Sequence, residues 1–352
     1  MVALSGSVDL GDFKMALMFV PEYRHSAKEG SIDSQSLVDS VCRLYSHHAD
    51  PTKILLLGEL ILGDSAGDTE SALTHIVDEL LKKRVLPIIV GGGRELTYAV
   101  YRAFAEEEQI VNVCSVDPFL NIETNNTPSY IGRIIKEQPN FLFNYSNLGY
   151  QTYLVNPEEL KLADELYFDT YRLGEVRGNI AITEPVIRSS EIFSLSIDSL
   201  KSSDFSGALN PQPNGLYAEE VCQMLRYAGI GEKLKAVVIS DVGHLTNLSD
   251  RLLLAEMLWC LVDGLNVRKS ELPSSRNDSF LKYRVSLKDD EFQLVFYKSL
   301  QTDRWWMEVP VPPEYANKYR KHHLIPCGYE DYQQATQDDL PDRWWRAYKK
   351  ML

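Results

Sequence analysis

The stretch Val85-Leu86-Pro87-Ile88-Ile89-Val90, running straight into Gly91-Gly92-Gly93-Arg94, decides how this chain folds. Six apolar residues in a row predict a strand buried on both faces, as in a parallel sheet. The glycines predict a tight turn, and a helix is predicted over residues 95–107. Two further stretches have the same form. Ile110-Val111-Asn112-Val113-Cys114-Ser115-Val116 leads into Asp117-Pro118-Phe119-Leu120-Asn121, and Ile192-Phe193-Ser194-Leu195-Ser196-Ile197 leads into Asp198-Ser199-Leu200. In a parallel α/β sheet the carboxyl ends of the strands line the ligand crevice. Arg94, Asp117 and Asp198 are therefore expected to meet in space.

Working outward, residues 53–60 read as a buried strand. Ala72, Ile76, Leu80 and Leu81 recur at helical spacing within residues 69–84, with Lys82, Lys83 and Arg84 at the end that favours cations. A short helix is expected over 129–137, a strand over 141–145 and a helix over 157–165; the rest of 151–190 reads as loops with one weak strand. A helix over 217–228 is closed by Gly229, a buried strand over 234–240 ends in Asp241-Val242-Gly243-His244, and an apolar helix covers 251–267. Strands alternating with helices predict an α/β fold with a mostly parallel sheet between helical layers. The pattern changes after residue 270. A polar loop over 271–279 precedes two alternating strands at 283–286 and 292–298. Four of the five tryptophans follow, in Asp-Arg-Trp-Trp tetrads at 303–306 and 342–345. The double tryptophans read as packing anchors or as a partner-binding surface. Residues 1–270 are expected to form the α/β domain, with 271–352 a C-terminal extension packed on it.

The net charge of −14, from 36 basic and 50 acidic residues, argues against a nucleic-acid partner, whose phosphates demand clustered Lys and Arg. No apolar run spans a membrane, and no basic-then-apolar leader opens the chain, so a soluble cytoplasmic protein is the expectation. Five scattered cysteines without a Cys-x-x-Cys pair fit neither a disulfide framework nor a zinc knuckle. Cys114, Cys222 and Cys260 fall in apolar segments and are expected to be buried thiols. Ser115 and Ser196 lack the Gly-x-Ser-x-Gly elbow of a hydrolase nucleophile. The triple glycine lacks both the Gly-x-Gly-x-x-Gly spacing and the Walker lysine of a phosphate loop. Adjacent His47 and His48, or His322 and His323, point in different directions and make poor metal ligands.

The order and spacing of the strand-end clusters resemble the ureohydrolase family of arginase, agmatinase and formimidoylglutamase, from about residue 53 to residue 270. A formimidoylglutamase-like branch is the most similar. The resemblance implies an arginase-like, three-layer fold with about eight strands, the aromatic C-terminal extension being added to it. It also implies a pair of Mn²⁺ ions that generate a hydroxide for attack on a guanidino or formimino carbon. Three family motifs carry that chemistry, and each is altered here. Gly-Gly-Asp-His falls on Gly91-Gly92-Gly93-Arg94, so Arg94 stands where a histidine ligand belongs. Asp-Ala-His-x-Asp falls on residues 117–121, where Asp117 is kept, Phe119 replaces a histidine and Asn121 an aspartate. Ser-x-Asp-x-Asp falls on residues 196–200, where Asp198 is kept and Leu200 replaces an aspartate. The two surviving ligands are those that bridge the metals in the family pattern. Asp241 takes the place of the family glutamate that grips a cationic substrate. No histidine occurs between His75 and His244, so the proton-shuttling histidine has no counterpart.

These replacements predict a metal site largely lost, with Asp117 and Asp198 as residual ligands at most. Arg94 is expected to pair with both, because its planar fork suits carboxylates and an uncompensated buried carboxylate pair is costly. Arg94, Asn121 and Asp241 are the candidate substrate-binding groups, for a small cationic amidine or an amino-acid-like ligand. A structural reading stands beside each: strand-end capping for Asp117, Asp198 and Asp241, and a solvent-facing helix start for Arg94. No cofactor is expected unless the Mn²⁺ site still works. The resemblance then implies two functions: a protein of this fold without metal-dependent hydrolase activity, serving a ligand-binding, partner-binding or structural role, or an active hydrolase of linear amidines with an atypical site. It also implies a homo-oligomer.

Overall fold

The computed structural model describes residues 10–26, 28–122, 129–273, 279–287, 292–315, 318–319 and 322–352. The chain divides into two compact units, one of Met1–Leu162 with Thr170–Arg268, the other of Ala163–Asp169 with Lys269–Leu352.

In chain order the α/β part runs β1 (Met15–Phe19), α1 (Ser34–Cys42), β2 (Ile54–Glu59), α2 (Ala66–Lys82), β3 (Leu86–Val90), α3 (Leu96–Glu106), β4 (Val111–Val116), α4 (Tyr130–Lys136) and β5 (Leu142–Tyr150). It continues through α5 (Pro157–Glu165), β6 (Asp169–Arg172), α6 (Leu173–Gly178), α7 (Thr183–Arg188), β7 (Ile192–Ser196), α8 (Ala218–Ile230), β8 (Ala236–Ser240) and α9 (Leu248–Asn266). The strands form one eight-stranded sheet in the order β2-β1-β3-β8-β7-β4-β5-β6. Every residue of β3, β4, β7 and β8 is buried, which is why these strands are mainly apolar, with Asn112, Ser115, Ser194, Ser196 and Ser240 as buried polar members. Their register is parallel throughout, with Ile89 beside Val238, Val238 beside Ser194, and Ser194 beside Ser115.

Several expectations change, among them the loops expected after residue 165, where α6 and α7 form. The five-residue strand β1 and helix α1, not anticipated from the sequence, precede residue 53, and β1 pairs with both β2 and β3. The strand expected to be buried at 53–60 is therefore an edge strand, with Ile54 36 % exposed. Gly229 does not close α8. It lies inside the helix, which runs on to Ile230, with Gly231 at the C-cap. Its role is close approach: a Cβ there would meet the Leu261 carbonyl oxygen at 2.3 Å and Gly264 Cα at 2.9 Å on α9. Gly229→Ala is accordingly expected to destabilise the protein by about 1–3 kcal/mol through overpacking. Gly174→Ala, whose Cβ meets nothing within 4 Å, is the control, and thermal melts of the two separate them. Cys222 and Cys260 are half-buried rather than buried, whereas Cys114 is fully enclosed.

The second unit carries a four-stranded antiparallel sheet in the order β12-β11-β10-β9, from β9 (Phe280–Leu287), β10 (Phe292–Ser299), β11 (Trp305–Glu308) and β12 (Leu324–Cys327), followed by α10 (Tyr329–Thr336) and α11 (Asp342–Met351). Aromatic rings fill it: Trp305 stacks on Tyr283 and Tyr332, with centroids 5.3 and 5.0 Å away, and Trp344 stacks on Tyr348 at 5.1 Å. Trp305, Trp306 and Trp344 are buried, so three of the four paired tryptophans are packing anchors, and Trp345 is 38 % exposed. Ser274 and Ser275, in the expected polar loop, lie outside the described residues. Among the described residues no helix is long and apolar enough to cross a membrane.

Candidate functional site

Strands β3, β8, β7 and β4 are consecutive neighbours, so the residues that follow them emerge side by side at one edge of the sheet. With neighbouring strands about 4.8 Å apart, four strand ends span only about 14 Å, short enough for side chains reaching in from both sides to meet. Arg94 follows β3, Asp241 follows β8, Asp198 follows β7 and Asp117 follows β4.

The triple glycine aims the arginine. Gly92 has φ +63°, and a Cβ there would lie 2.8 Å from the carbonyl oxygens of Val20 and Glu22. Only glycine tolerates that backbone approach. The Gly92 carbonyl accepts from Asp241 N at 2.7 Å, and Gly93 N donates to the Glu22 carbonyl at 3.0 Å. Both links pin the turn to its neighbours.

Arg94 reaches all three aspartates. Nη1 donates to both oxygens of Asp117, at 2.8 and 3.0 Å. Nη2 donates to Asp198 Oδ2 at 2.7 Å and lies 3.1 Å from Asp241 Oδ2. The Phe119 ring, in a position where the resemblance implies a histidine, has its centroid 5.1 Å from the guanidinium carbon and offers its π face to the cation. Asn121, in the left-handed region at φ +54°, donates its amide to Asp117 Oδ2 at 3.0 Å. Leu200 is fully buried in the main apolar core.

Three partners were not anticipated. Asn210 donates to Asp198 twice, from its backbone N to Oδ1 at 2.7 Å and from its side chain to Oδ2 at 3.0 Å. Its only sequence signal is an Asn-Pro turn in a proline-rich loop. Ser196, considered above as a nucleophile and as the start of the Ser-x-Asp-x-Asp match, donates to Asp241 Oδ2 at 2.6 Å and accepts from Asp198 N. Glu95 adds a fourth carboxyl nearby, with Oε2 buried and without a hydrogen-bond partner.

The cluster is nearly closed to solvent: the Arg94 side chain is 11 % exposed, and those of Asp117, Asp198 and Asp241 are 1 %, 0 % and 2 % exposed. Burial raises the Asp117 carboxyl to about 7; the Arg94 charge opposes that rise and Asp241 adds to it. Asp198 is also raised to about 7, by burial and then by Asp241, against Arg94. Burial lifts Glu95 as well. For Arg94 burial works against the charge, but Asp117, Asp241 and Asp198 together outweigh it and hold the guanidinium protonated. One cation among three aspartates leaves the cluster short of positive charge, so a proton is retained near neutrality.

These residues do not fit a binuclear Mn²⁺ centre. Each ion needs several oxygen or imidazole donors. Here the carboxylates are engaged by Arg94, the Asn121 amide donates rather than accepts, and the Phe119 ring has no donor atom. The His244 ring, the nearest histidine in sequence, is bonded through Nδ1 to Ser31 Oγ at 2.9 Å. Among the described residues no group of three or more His, Cys, Asp or Glu side chains is arranged to hold a metal ion.

The family model for arginases matches residues 22–251, about two-thirds of the chain. The chain belongs to the arginase family. The match starts upstream of residue 53, taking in α1, and ends within α9. Among solved structures, a Trypanosoma cruzi formiminoglutamase with Mn²⁺ is similar at 19 % identity and TM-score 0.65, covering 75 % of this chain and 97 % of its own. Formimidoylglutamase from Bacillus subtilis has 18 % identity and TM-score 0.65, with 75 % and 91 % covered. Agmatine ureohydrolase from Thermoplasma volcanium has 17 % identity and TM-score 0.58, with 74 % and 92 % covered. Comparison with curated proteins finds no match. The fold is thus arginase-like, and residues 269–352 lie beyond the family match.

Proposed function

We propose that this arginase-family member does not run the metal-dependent hydrolysis of linear amidines, and that its strand-end site is an ionic scaffold for a binding or structural role. The observation that carries this reading is the Arg94 guanidinium bonded to Asp117 and Asp198 together, the two positions at which family members bridge their metals. A fixed cation there repels a divalent ion and occupies the oxygens that would hold it. Asp241, the candidate grip for a cationic substrate, already faces Arg94 and Ser196. A small cationic amidine would have to displace Arg94 to reach it.

Turnover is the test. The full chain, assayed in Mn²⁺ with formiminoglutamate, agmatine and arginine in turn, is expected to release no product above the uncatalysed rate. Catalytic release of formamide or urea from any of the three would overturn the proposal in favour of an active hydrolase with an atypical site.

A further inference from the structure

At the carboxyl ends of β5 and β6 the surface opens into a cleft of about 920 Å³, a volume within the range of small-molecule sites. It shares no lining residue with the Arg94 cluster. Its lining includes Tyr150, Gln151, Tyr153, Arg172, Arg177 and Asn214. Part of this wall is rigidly built. Gln151, only 3 % exposed, donates to the Asn214 carbonyl at 2.9 Å and accepts from the Tyr153 hydroxyl. The Asn214 amide donates to that same hydroxyl at 3.1 Å.

The charged groups of the lining are two arginines, Arg172 and Arg177, and one glutamate, Glu175. Arg172 commits Nε to the Tyr150 hydroxyl at 3.0 Å, which leaves its two terminal nitrogens to donate elsewhere. Arg177 lies over the Tyr217 ring at 4.4 Å, and its closest acidic neighbour, Glu220, is 3.8 Å away, beyond hydrogen-bond reach. Lys201 approaches the same Tyr217 ring at 5.2 Å and adds a third cation to the neighbourhood. One carboxylate, Glu175, lines the cleft, and it accepts from the Arg172 backbone at 3.3 Å. In a chain of net charge −14, this is a local excess of positive charge in a concave, aromatic-walled site.

We propose that the cleft binds a small organic oxyanion, a carboxylate or a phosphate, held by the guanidinium forks of Arg172 and Arg177. Two planar forks presenting parallel N–H donors recognise either group. The tyrosines supply apolar faces for the remainder of the ligand. The proposal is independent of what became of the metal motifs.

Isothermal titration of the full chain at low salt, with inorganic phosphate and with glutarate as separate probes, tests it. One site per chain is expected to saturate with at least one probe, and the preferred probe distinguishes a phosphate ester from a carboxylate. R172Q and R177Q should each weaken that binding at least about tenfold, the loss expected for a charged hydrogen-bonding partner. Neither side chain is buried, so the melting temperature should move little, and Arg226→Gln, outside the cleft, should bind as the parent does. Failure of both probes to saturate by roughly 10 mM would overturn the proposal. So would binding that survives in the R172Q/R177Q double variant.

Discussion

Arg94→Met is expected to destabilise the protein by roughly 3–5 kcal/mol, the usual cost of removing one partner from a buried ion pair. Asp117, Asp198 and Asp241 would then face one another with no cation between them. The hydrogen bonds from Asn121, Asn210 and Ser196 would remain, but a neutral donor cannot replace a guanidinium charge. Arg94 lowers the proton affinity of both Asp117 and Asp198, so in its absence both carboxyls hold protons to higher pH. The loss should therefore be smaller at about pH 5, where the carboxyls are neutral, than at about pH 8. Arg94→Lys should fall between, keeping a charge but not the two-pronged geometry that reaches β4 and β7 together. Urea denaturation at both pH values measures each difference. A methionine variant as stable as the parent at about pH 8 would mean that the ion cluster contributes nothing to the fold.

Asp241→Asn is expected to act in the opposite direction. Asp241 raises the carboxyls of Asp117, Asp198 and Glu95. Asparagine can keep an oxygen toward Ser196 and Arg94 while removing one negative charge. Asp117 and Asp198 have folded-state pKa values of about 7, above the ordinary 3.8. The stability such groups contribute is fully present below about pH 4 and is lost as pH rises through about 7. With Asp241 neutral both values fall, and the loss between those limits shrinks. The variant should gain on the order of 1–3 kcal/mol relative to the parent on going from about pH 5 to about pH 8. Equal stability differences at the two pH values would contradict the coupled-carboxyl account. Taking the difference between two chains cancels the other acids, such as Glu22 and Asp263, whose partners lower them and whose pH dependence runs the other way.

The centre of the fold was legible because burial on both faces favours apolar residues, and β3, β4, β7 and β8 are mainly apolar. The edges were less so. The five residues of β1 are as buried and as apolar as the five of β3, yet the strand was not anticipated. β2 is apolar enough to read as central, yet it has a neighbour on one side only. Gly229 illustrates a general ambiguity: a glycine near the end of a helical pattern can be a stop or a point of close packing, and only the partner helix with Gly264 decides. In the site, the pairing of Arg94 with Asp117 and Asp198 followed from their shared place at strand ends, the altered motifs and charge, since two buried carboxylates demand a cation. The third aspartate did not. Whether Asp241 joins the pair depends on β8 lying between β3 and β7, a fact of sheet order that residue spacing does not contain. Asn210 was invisible for a similar reason: a twelve-residue excursion after Asp198 brings it back to the same carboxylate.

The account rests on the guanidinium of Arg94 being the cation of this site. Its most direct test is the manganese content of the full chain after equilibrium dialysis against Mn²⁺ and removal of free metal, read by elemental mass spectrometry. The account predicts far less than one ion per chain. Retention of one or two tightly held ions per chain would contradict it, because Asp117 and Asp198 would then have to exchange Arg94 for metal.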